Sequence, residues 1–159
     1  MSKNSLILMK YAINYLSKYS SSKANLEIIL NKKIRRLKIE KKDKFFLYNS
    51  IEKIINDLEK NNLINDYNYI SSKFDLFFHQ GKSRIFIKSF FQQKGIEKDV
   101  IDKAFETFEK NNLNWEAESA KIFAKKKRLS NDKDKEKNLS KLARAGFNFE
   151  ISKKILEDL

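Results

Sequence analysis

Hydrophobic residues recur along most of the chain at intervals of three and four residues. Ile51, Ile54, Ile55 and Leu58 are one example, and this spacing places all four on one face of a helix. Comparable spacing occurs within residues 26–34 and 100–108. No segment sustains the two-residue alternation that is typical of a half-buried strand. The pattern therefore predicts an all-α protein.

A repeated pattern groups the predicted helices. The block Leu-Glu-Lys-Asn-Asn-Leu at 58–63 recurs as Phe-Glu-Lys-Asn-Asn-Leu at 108–113, and Gly95 recurs as Gly146. Any two amphipathic helices share hydrophobic positions by chance, but chance is a poor explanation for a matched glycine and a matched polar block. We therefore predict three tandem three-helix repeats, with bounds at 1–60, 61–110 and 111–159. No linker rich in Pro, Gly or Ser separates them, so one continuous array is expected.

Capping residues set the expected limits of the helices. Ser20–Ser22 offer an N-cap for the second helix, and Ser83 offers one for the fifth. Gly81, Gly95 and Gly146 are expected to end helices in the left-handed conformation, which glycine adopts without a Cβ clash. Apart from the helix that follows Ser22, the expected helices are at about 6–19, 40–60, 65–80, 83–94, 97–110, 115–129, 134–145 and 150–159.

The composition excludes several classes of function. A chain of 159 residues is too short for a large multidomain enzyme, and it has no cysteine for thiol catalysis or for a Cys-based metal site. With three glycines and no proline, it has no Gly-rich phosphate loop. His79 is the only histidine, and the dipole of a helix end explains it better than a role as general base. We therefore expect neither an enzyme nor a cofactor.

No apolar segment is long enough to span a bilayer, and the longest N-terminal apolar run covers only residues 6–9. The acidic residues mostly alternate with lysines, as on a solvated helix face. We therefore expect a soluble cytoplasmic protein with no membrane partner.

The net charge of +13, from 34 basic and 21 acidic residues, favours an anionic partner. Residues 1–60 have 14 basic and 6 acidic side chains, residues 61–110 have 8 and 7, and residues 111–159 have 12 and 8. Lysine shares A/T-rich codons with the abundant Asn and Ile, so the five arginines are more informative than the 29 lysines.

Two groups of cations stand out. The first basic cluster consists of Lys32, Lys33, Arg35, Arg36 and Lys38, and the second basic cluster consists of Lys125, Lys126, Lys127 and Arg128. For either group alone, a solvated helix face is as good an explanation as a binding surface. Together, on both sides of a nearly neutral repeat, they favour a surface that holds an anionic polymer at separated points.

The middle repeat is rich in phenylalanine. Exposed aromatic rings between cations would form a platform for base stacking, but helical spacing favours a packed core for most of these rings. The residues concerned are Phe74, Phe77, Phe78, Phe86, Phe90 and Phe91.

Several short motifs, in their order and spacing, resemble the RecX family of regulators of the RecA recombinase. They are the Leu-Ser-Lys-Tyr segment at 16–26 with Leu30 after it, Leu-Ile-Asn-Asp-Tyr at 63–67, Gly-Lys-Ser-Arg-Ile at 81–85, Phe-Gln-Gln-Lys-Gly-Ile at 91–96 and Leu-Ala-Arg-Ala-Gly-Phe at 142–147. The resemblance covers nearly the whole chain. Tyr19 and Asn25 depart from the family pattern, which usually has Arg and Glu at these positions.

This resemblance implies three-helix repeats in an elongated, curved array. It also implies a monomeric regulator of recombination, DNA repair and the SOS response that lies in the groove of the RecA filament and restrains filament growth, strand exchange and ATP hydrolysis. Weak binding to single-stranded or duplex DNA, without sequence preference, is expected as well. The predicted filament or DNA contacts are Lys32, Lys33, Arg35, Arg36, Arg84, Lys125, Lys126, Lys127, Arg128 and Arg144.

The alternative is a general DNA-binding protein with helix-turn-helix-like units. Arg84 lies near the start of a helix that would then read bases. The phenylalanines that follow it are needed for a hydrophobic core, which disfavours this interpretation.

Overall fold

The computed structural model describes residues 3–130 and 134–159. These residues form nine α-helices and no strand, which confirms the prediction of an all-α protein. The helices are α1 (Lys3–Leu16), α2 (Lys23–Arg36), α3 (Lys41–Lys60), α4 (Asp66–His79), α5 (Arg84–Gln93), α6 (Lys98–Asn111), α7 (Trp115–Lys126), α8 (Lys135–Arg144) and α9 (Phe149–Glu157).

Serine side chains begin two of the helices, as predicted. Ser22 Oγ accepts a hydrogen bond from the backbone N–H of Asn25 at 3.1 Å, and Ser83 Oγ accepts one from Phe86 at 3.3 Å. Each hydroxyl also donates outside its own helix, Ser22 to the Lys94 carbonyl and Ser83 to the Ala145 carbonyl. The same side chains therefore cap a helix and fasten a second segment to its first turn.

Three glycines have the predicted left-handed conformation. The φ angles of Gly81, Gly95 and Gly146 are +74°, +72° and +93°. Each also lies against another segment, and a Cβ on Gly81 would be 2.7 Å from the backbone nitrogen of Phe123. Both the conformation and the close approach therefore require glycine.

The chain divides into two compact bodies. The first body contains the residues up to Tyr69 and Lys94–Ile96, and the second body contains Ile70–Gln93 and Glu97–Leu159. The three-repeat division at 1–60, 61–110 and 111–159 stays a prediction. In the first body, α1, α2 and α3 surround an aliphatic core formed by Leu8, Ala12, Leu26, Leu30, Ile34, Leu47, Ile51, Ile54, Ile55, Leu58 and Ile64.

Aromatic rings form much of the core of the second body. Phe74 stacks on Phe108 with ring centroids 4.0 Å apart, and it meets Phe105 and Trp115 edge-on. Phe77 and Phe91 are also buried, whereas Phe86 is 39% exposed, so the prediction of a packed core is confirmed for Phe74, Phe77 and Phe91. A second buried group contains Ala120, Ala124, Leu129, Leu142, Phe147, Ile155 and Leu156.

The α7 helix ends at Lys126, three residues earlier than the pattern predicted. Leu129 folds back, so that its backbone N–H bonds the Ala124 carbonyl at 3.0 Å and its side chain enters the core. Burial of Leu129 therefore ends the helix.

Candidate functional site

The first basic cluster lies at the C-terminal end of α2. Ile34 is fully buried in the core, so Lys32, Arg35 and Arg36 on the other sides of the helix are exposed. Lys33 is half-buried, and its Nζ lies 4.8 Å from the centroid of the Tyr11 ring. The dipole of α2 places partial negative charge at this end, which favours cations.

Three further lysines extend this cluster onto α3. Lys41 and Lys42 are exposed in its first turn, and Lys44 Nζ donates to the Arg35 carbonyl at 3.0 Å. From residue 32 to residue 44 there are eight basic and two acidic side chains. The sequence prediction missed this extension because Glu40 and Asp43 interrupt the basic run.

Two phenylalanines are exposed beside these lysines. The Phe45 and Phe46 side chains are 62% and 58% exposed, and their ring centroids lie 6.2 Å apart. The next residue, Leu47, is buried and anchors this turn of α3 in the core. The sequence prediction missed this exposed pair, since hydrophobic periodicity does not distinguish a ring at the edge of a stripe from a buried one.

The second basic cluster lies at the C-terminal end of α7, and its four side chains are exposed. Lys126 Nζ donates to the His79 carbonyl at the end of α4, with a distance of 3.0 Å. No ion pair involves Lys125, Lys127 or Arg128 in the part of the chain that the structure describes. Among the described residues, no carboxylate therefore neutralises these three cations.

Arg128 has an unusual backbone conformation. Its φ angle is +50°, in the left-handed region that costs a residue with a Cβ about 1–2 kcal/mol. The backbone N–H of Arg128 bonds the Lys125 carbonyl, and that of Leu129 bonds the Ala124 carbonyl. This is a Schellman motif, the same helix ending in which Gly81 and Gly146 occupy the left-handed position.

Arg84 takes part in a network within the second body. Its guanidinium forms an ion pair with Glu109 and lies 4.9 Å from the centroid of the Phe105 ring. The Trp115 indole N–H donates to the same Glu109 oxygen at 3.1 Å, and the Arg84 backbone N–H donates to Glu116 at 2.9 Å. The Arg84 side chain is 39% exposed, so it has an internal role and a residual accessible surface.

Lys88 makes a second contact of this kind in the second body. Its Nζ lies 2.6 Å from the Asp102 carboxylate. This hydrogen bond lowers the pKa of Asp102 below its ordinary value. Arg144 differs from both residues, since it is exposed in the last turn of α8.

The two departures from the family pattern lie in the first body. Tyr19 is exposed, and the centroid of its ring lies 5.1 Å from that of Tyr15. Asn25 Nδ2 donates a hydrogen bond to Ser21 Oγ at 2.8 Å. Nearby, burial raises the pKa of Tyr69, and the proximity of Tyr15 raises it further. Both departures therefore make contacts within the first body.

His79 lies at the end of α4 with an exposed side chain, and its ring is 5.2 Å from that of Phe78. Over residues 3–130 and 134–159, no three His, Asp or Glu side chains are grouped so that they could hold a metal ion. Over the same ranges, no helix is both long enough and apolar enough to cross a membrane.

Comparison with known proteins finds a relative that matches over most of its length. The chain is 29% identical over 157 residues to "Regulatory protein RecX" of Myxococcus xanthus (strain DK1622), covering 92% of this chain and 82% of that protein. A scan against models of protein families found no match.

Two solved structures resemble the fold. The crystal structure of RecX from Lactobacillus salivarius superposes with a TM-score of 0.74 at 25% identity, covering all of this chain and 98% of the other. A second structure, described as the crystal structure of regulatory protein RecX, gives a TM-score of 0.69 at 21% identity. This match covers 98% of this chain and 72% of the other chain, and it shows that the folds are similar.

Proposed function

We propose that this chain is a member of the RecX family and acts as a non-enzymatic regulator of the RecA recombinase. The observation that carries the proposal is similarity over 92% of this chain and 82% of the Myxococcus xanthus relative, together with the ordered motifs of the sequence. The related proteins are named regulatory proteins. The regulated partner, RecA, is what the family resemblance implies.

In this proposal, the chain binds along the RecA nucleoprotein filament as a cytoplasmic monomer and restrains filament growth, ATP hydrolysis and strand exchange. It thereby adjusts recombination, DNA repair and the SOS response. The exposed cations of both basic clusters support it, because they suit the phosphates and acidic side chains of a nucleoprotein. Weak binding to DNA without sequence preference follows from the same charges.

The proposed contacts fall into two groups. Arg144 and the members of both basic clusters other than Lys33 have exposed side chains. Lys33 and Arg84 are partly covered by Tyr11 and Phe105 respectively, so only part of each side chain remains for a partner. We therefore expect the exposed group to contribute most of the salt-dependent affinity.

The function is tested with RecA-coated single-stranded DNA and ATP, by following ATP hydrolysis as the protein is added. Inhibition well below one molecule per RecA is expected, because a chain bound on a filament affects the extension of many subunits. Hydrolysis that stays unchanged even at equimolar protein, while the protein binds DNA normally, would refute the proposal.

A charge variant tests the second basic cluster. Changing its four residues to Gln keeps most of the helix propensity and is expected to weaken filament binding. For every phosphate of single-stranded DNA that the variant no longer neutralises, the log–log salt dependence should flatten by about 0.7. The control replaces four exposed lysines outside both clusters, Lys10, Lys53, Lys103 and Lys110, with Gln. Equally weakened binding in the two variants would show that net charge alone matters.

The helix-turn-helix alternative receives little support from Arg84. A base-reading side chain must be free to enter a groove, whereas Arg84 is paired with Glu109 and covers Phe105. Tight binding to one duplex sequence in the absence of RecA would nevertheless favour this alternative over a filament regulator.

A further inference from the structure

We propose that Phe45 and Phe46, together with the lysines beside them, form a stacking site for the bases of a single-stranded polynucleotide. This inference deepens the proposed function and rests on it, because it assigns a ligand to the first body and its cations. Phe45 and Phe46 form the phenylalanine pair.

The phenylalanine pair is exposed because of its place on α3. Leu47, Ile51 and Ile54 form the buried stripe of this helix, so the rings at 45 and 46 project away from the core. More than half of each side chain is accessible although neither ring carries a polar atom. Two adjacent exposed rings leave apolar surface in water that a flat apolar partner would cover.

The charges around the pair indicate which partner covers it. Lys42 is three residues before Phe45 and four before Phe46, so it shares a helix face with both rings. Lys41 is four residues before Phe45, and Lys44 connects this turn to Arg35 of α2. A purely apolar protein segment has no use for these cations, whereas a nucleotide strand needs rings for its bases and cations for its phosphates.

The neighbouring acids do not cancel these cations. In the described residues, neither Glu40 nor Asp43 forms an ion pair with any of the eight basic residues from 32 to 44. Tyr48 is three residues after Phe45 and partly exposed, so it extends the aromatic surface along α3. The arrangement fits a single strand, because duplex bases are stacked on one another and present no free faces to the rings.

A fluorescent variant tests contact with bases directly. Trp115 is the only tryptophan and is buried, so Phe45→Trp adds one exposed emitter. We expect oligo-dT of about 20 nucleotides to quench this emission, as a base stacked on the indole does. Phe149→Trp, at an exposed site of the second body beside Glu150, is the matched control and should be quenched much less. Equal quenching of both variants, or of neither, would overturn the proposal.

A second pair of variants separates stacking from hydrophobicity. Phe45→Leu with Phe46→Leu keeps apolar side chains and helix propensity, and circular dichroism confirms that the variant is folded. Affinity for oligo-dT should fall about tenfold or more, while affinity for an abasic strand of the same length should change little. An oligo-U arm determines whether RNA is accepted as well as DNA. Unchanged affinity for every base-bearing strand would overturn the proposal.

Both measurements are made without RecA, so they test the stacking site independently of the regulatory function. Inhibition of RecA by the wild-type chain, without any quenching of the Phe45→Trp emission by oligo-dT, refutes the stacking site and leaves the regulator intact. Quenching without any effect on RecA supports the stacking site and refutes the regulator. If the leucine variant no longer affects the filament but keeps its affinity for oligo-dT, the rings contact protein and the stacking site is wrong.

Discussion

Replacing Arg128 with glycine should relieve backbone strain and weaken filament binding at the same time. Arg128 has a φ angle of +50° at the end of α7, and its exposed side chain has no ion pair in the described residues. Glycine would keep the two backbone hydrogen bonds that close this helix, since neither involves the arginine side chain. The substitution therefore removes backbone strain and one cation, and little else.

The expected gain follows from two opposing terms. The left-handed conformation costs a residue with a Cβ about 1–2 kcal/mol. Glycine loses more freedom on folding, which offsets this by about 0.5–1 kcal/mol. Both Arg128→Gly and Arg128→Ala lose the favourable interaction of the cation with the helix dipole, so Arg128→Gly should be the more stable of the two by about 0.5–1 kcal/mol, which in a chain of this length is about 2 °C in Tm.

The assay combines thermal unfolding, followed by circular dichroism, with filament binding. Arg128→Ala is the control, because it removes the charge but keeps the strain: its Tm should not rise, and its binding should fall as much as that of Arg128→Gly. Asn62→Gly, at a left-handed helix end of the first body with a φ angle of +55°, should gain less, since asparagine tolerates this conformation. A Tm of Arg128→Gly at or below that of Arg128→Ala would refute the strain argument, and unchanged binding would refute the contact.

Two further predictions concern the fold. Gly81→Ala should lower the free energy of unfolding by about 2 kcal/mol or more, measured in urea, because the Cβ adds strain and meets the backbone of Phe123. The contact with Lys88 lowers the pKa of Asp102, so it contributes stability above the ordinary pKa of the carboxyl that is lost as the pH falls through the lowered value. Lys88→Gln should therefore flatten the acid limb of a Tm–pH curve, and an unchanged limb would contradict this.

The sequence predicted the helix ends that depend on local conformation. Gly81, Gly95 and Gly146 were expected to be left-handed, and they are, because glycine is the residue that occupies this region at no steric cost. The end of α7 was placed at about 129 because no local rule assigns a left-handed conformation to arginine. Burial of Leu129 imposes it, and burial is a property of the folded body.

The same limit applies to the candidate site. Basic clusters are visible in sequence because like charges lie close together along the chain. The ion-pair partner of Arg84 is not visible in the sequence, because Glu109 is 25 residues away along the chain. Glu109 reaches Arg84 only through the packing of α5 and α6. The exposure of Phe45 and Phe46 was equally hidden, since it depends on which residues of α3 face the core.

The positions of the arginines indicate which of them are best explained by contact with a partner. Arg35, Arg36 and Arg144 lie in last turns of helices, where the dipole favours a cation by about 0.3–1 kcal/mol, so a solvated helix end explains them adequately. Arg84 lies at the start of α5, where the dipole disfavours a cation, and Glu109 compensates. Arg128 also follows a helix end, but its backbone conformation costs more than the dipole returns. Once the greater flexibility of glycine is also counted, stability alone gives arginine no advantage over glycine at this position, so an interaction outside the fold is the better explanation for the arginine.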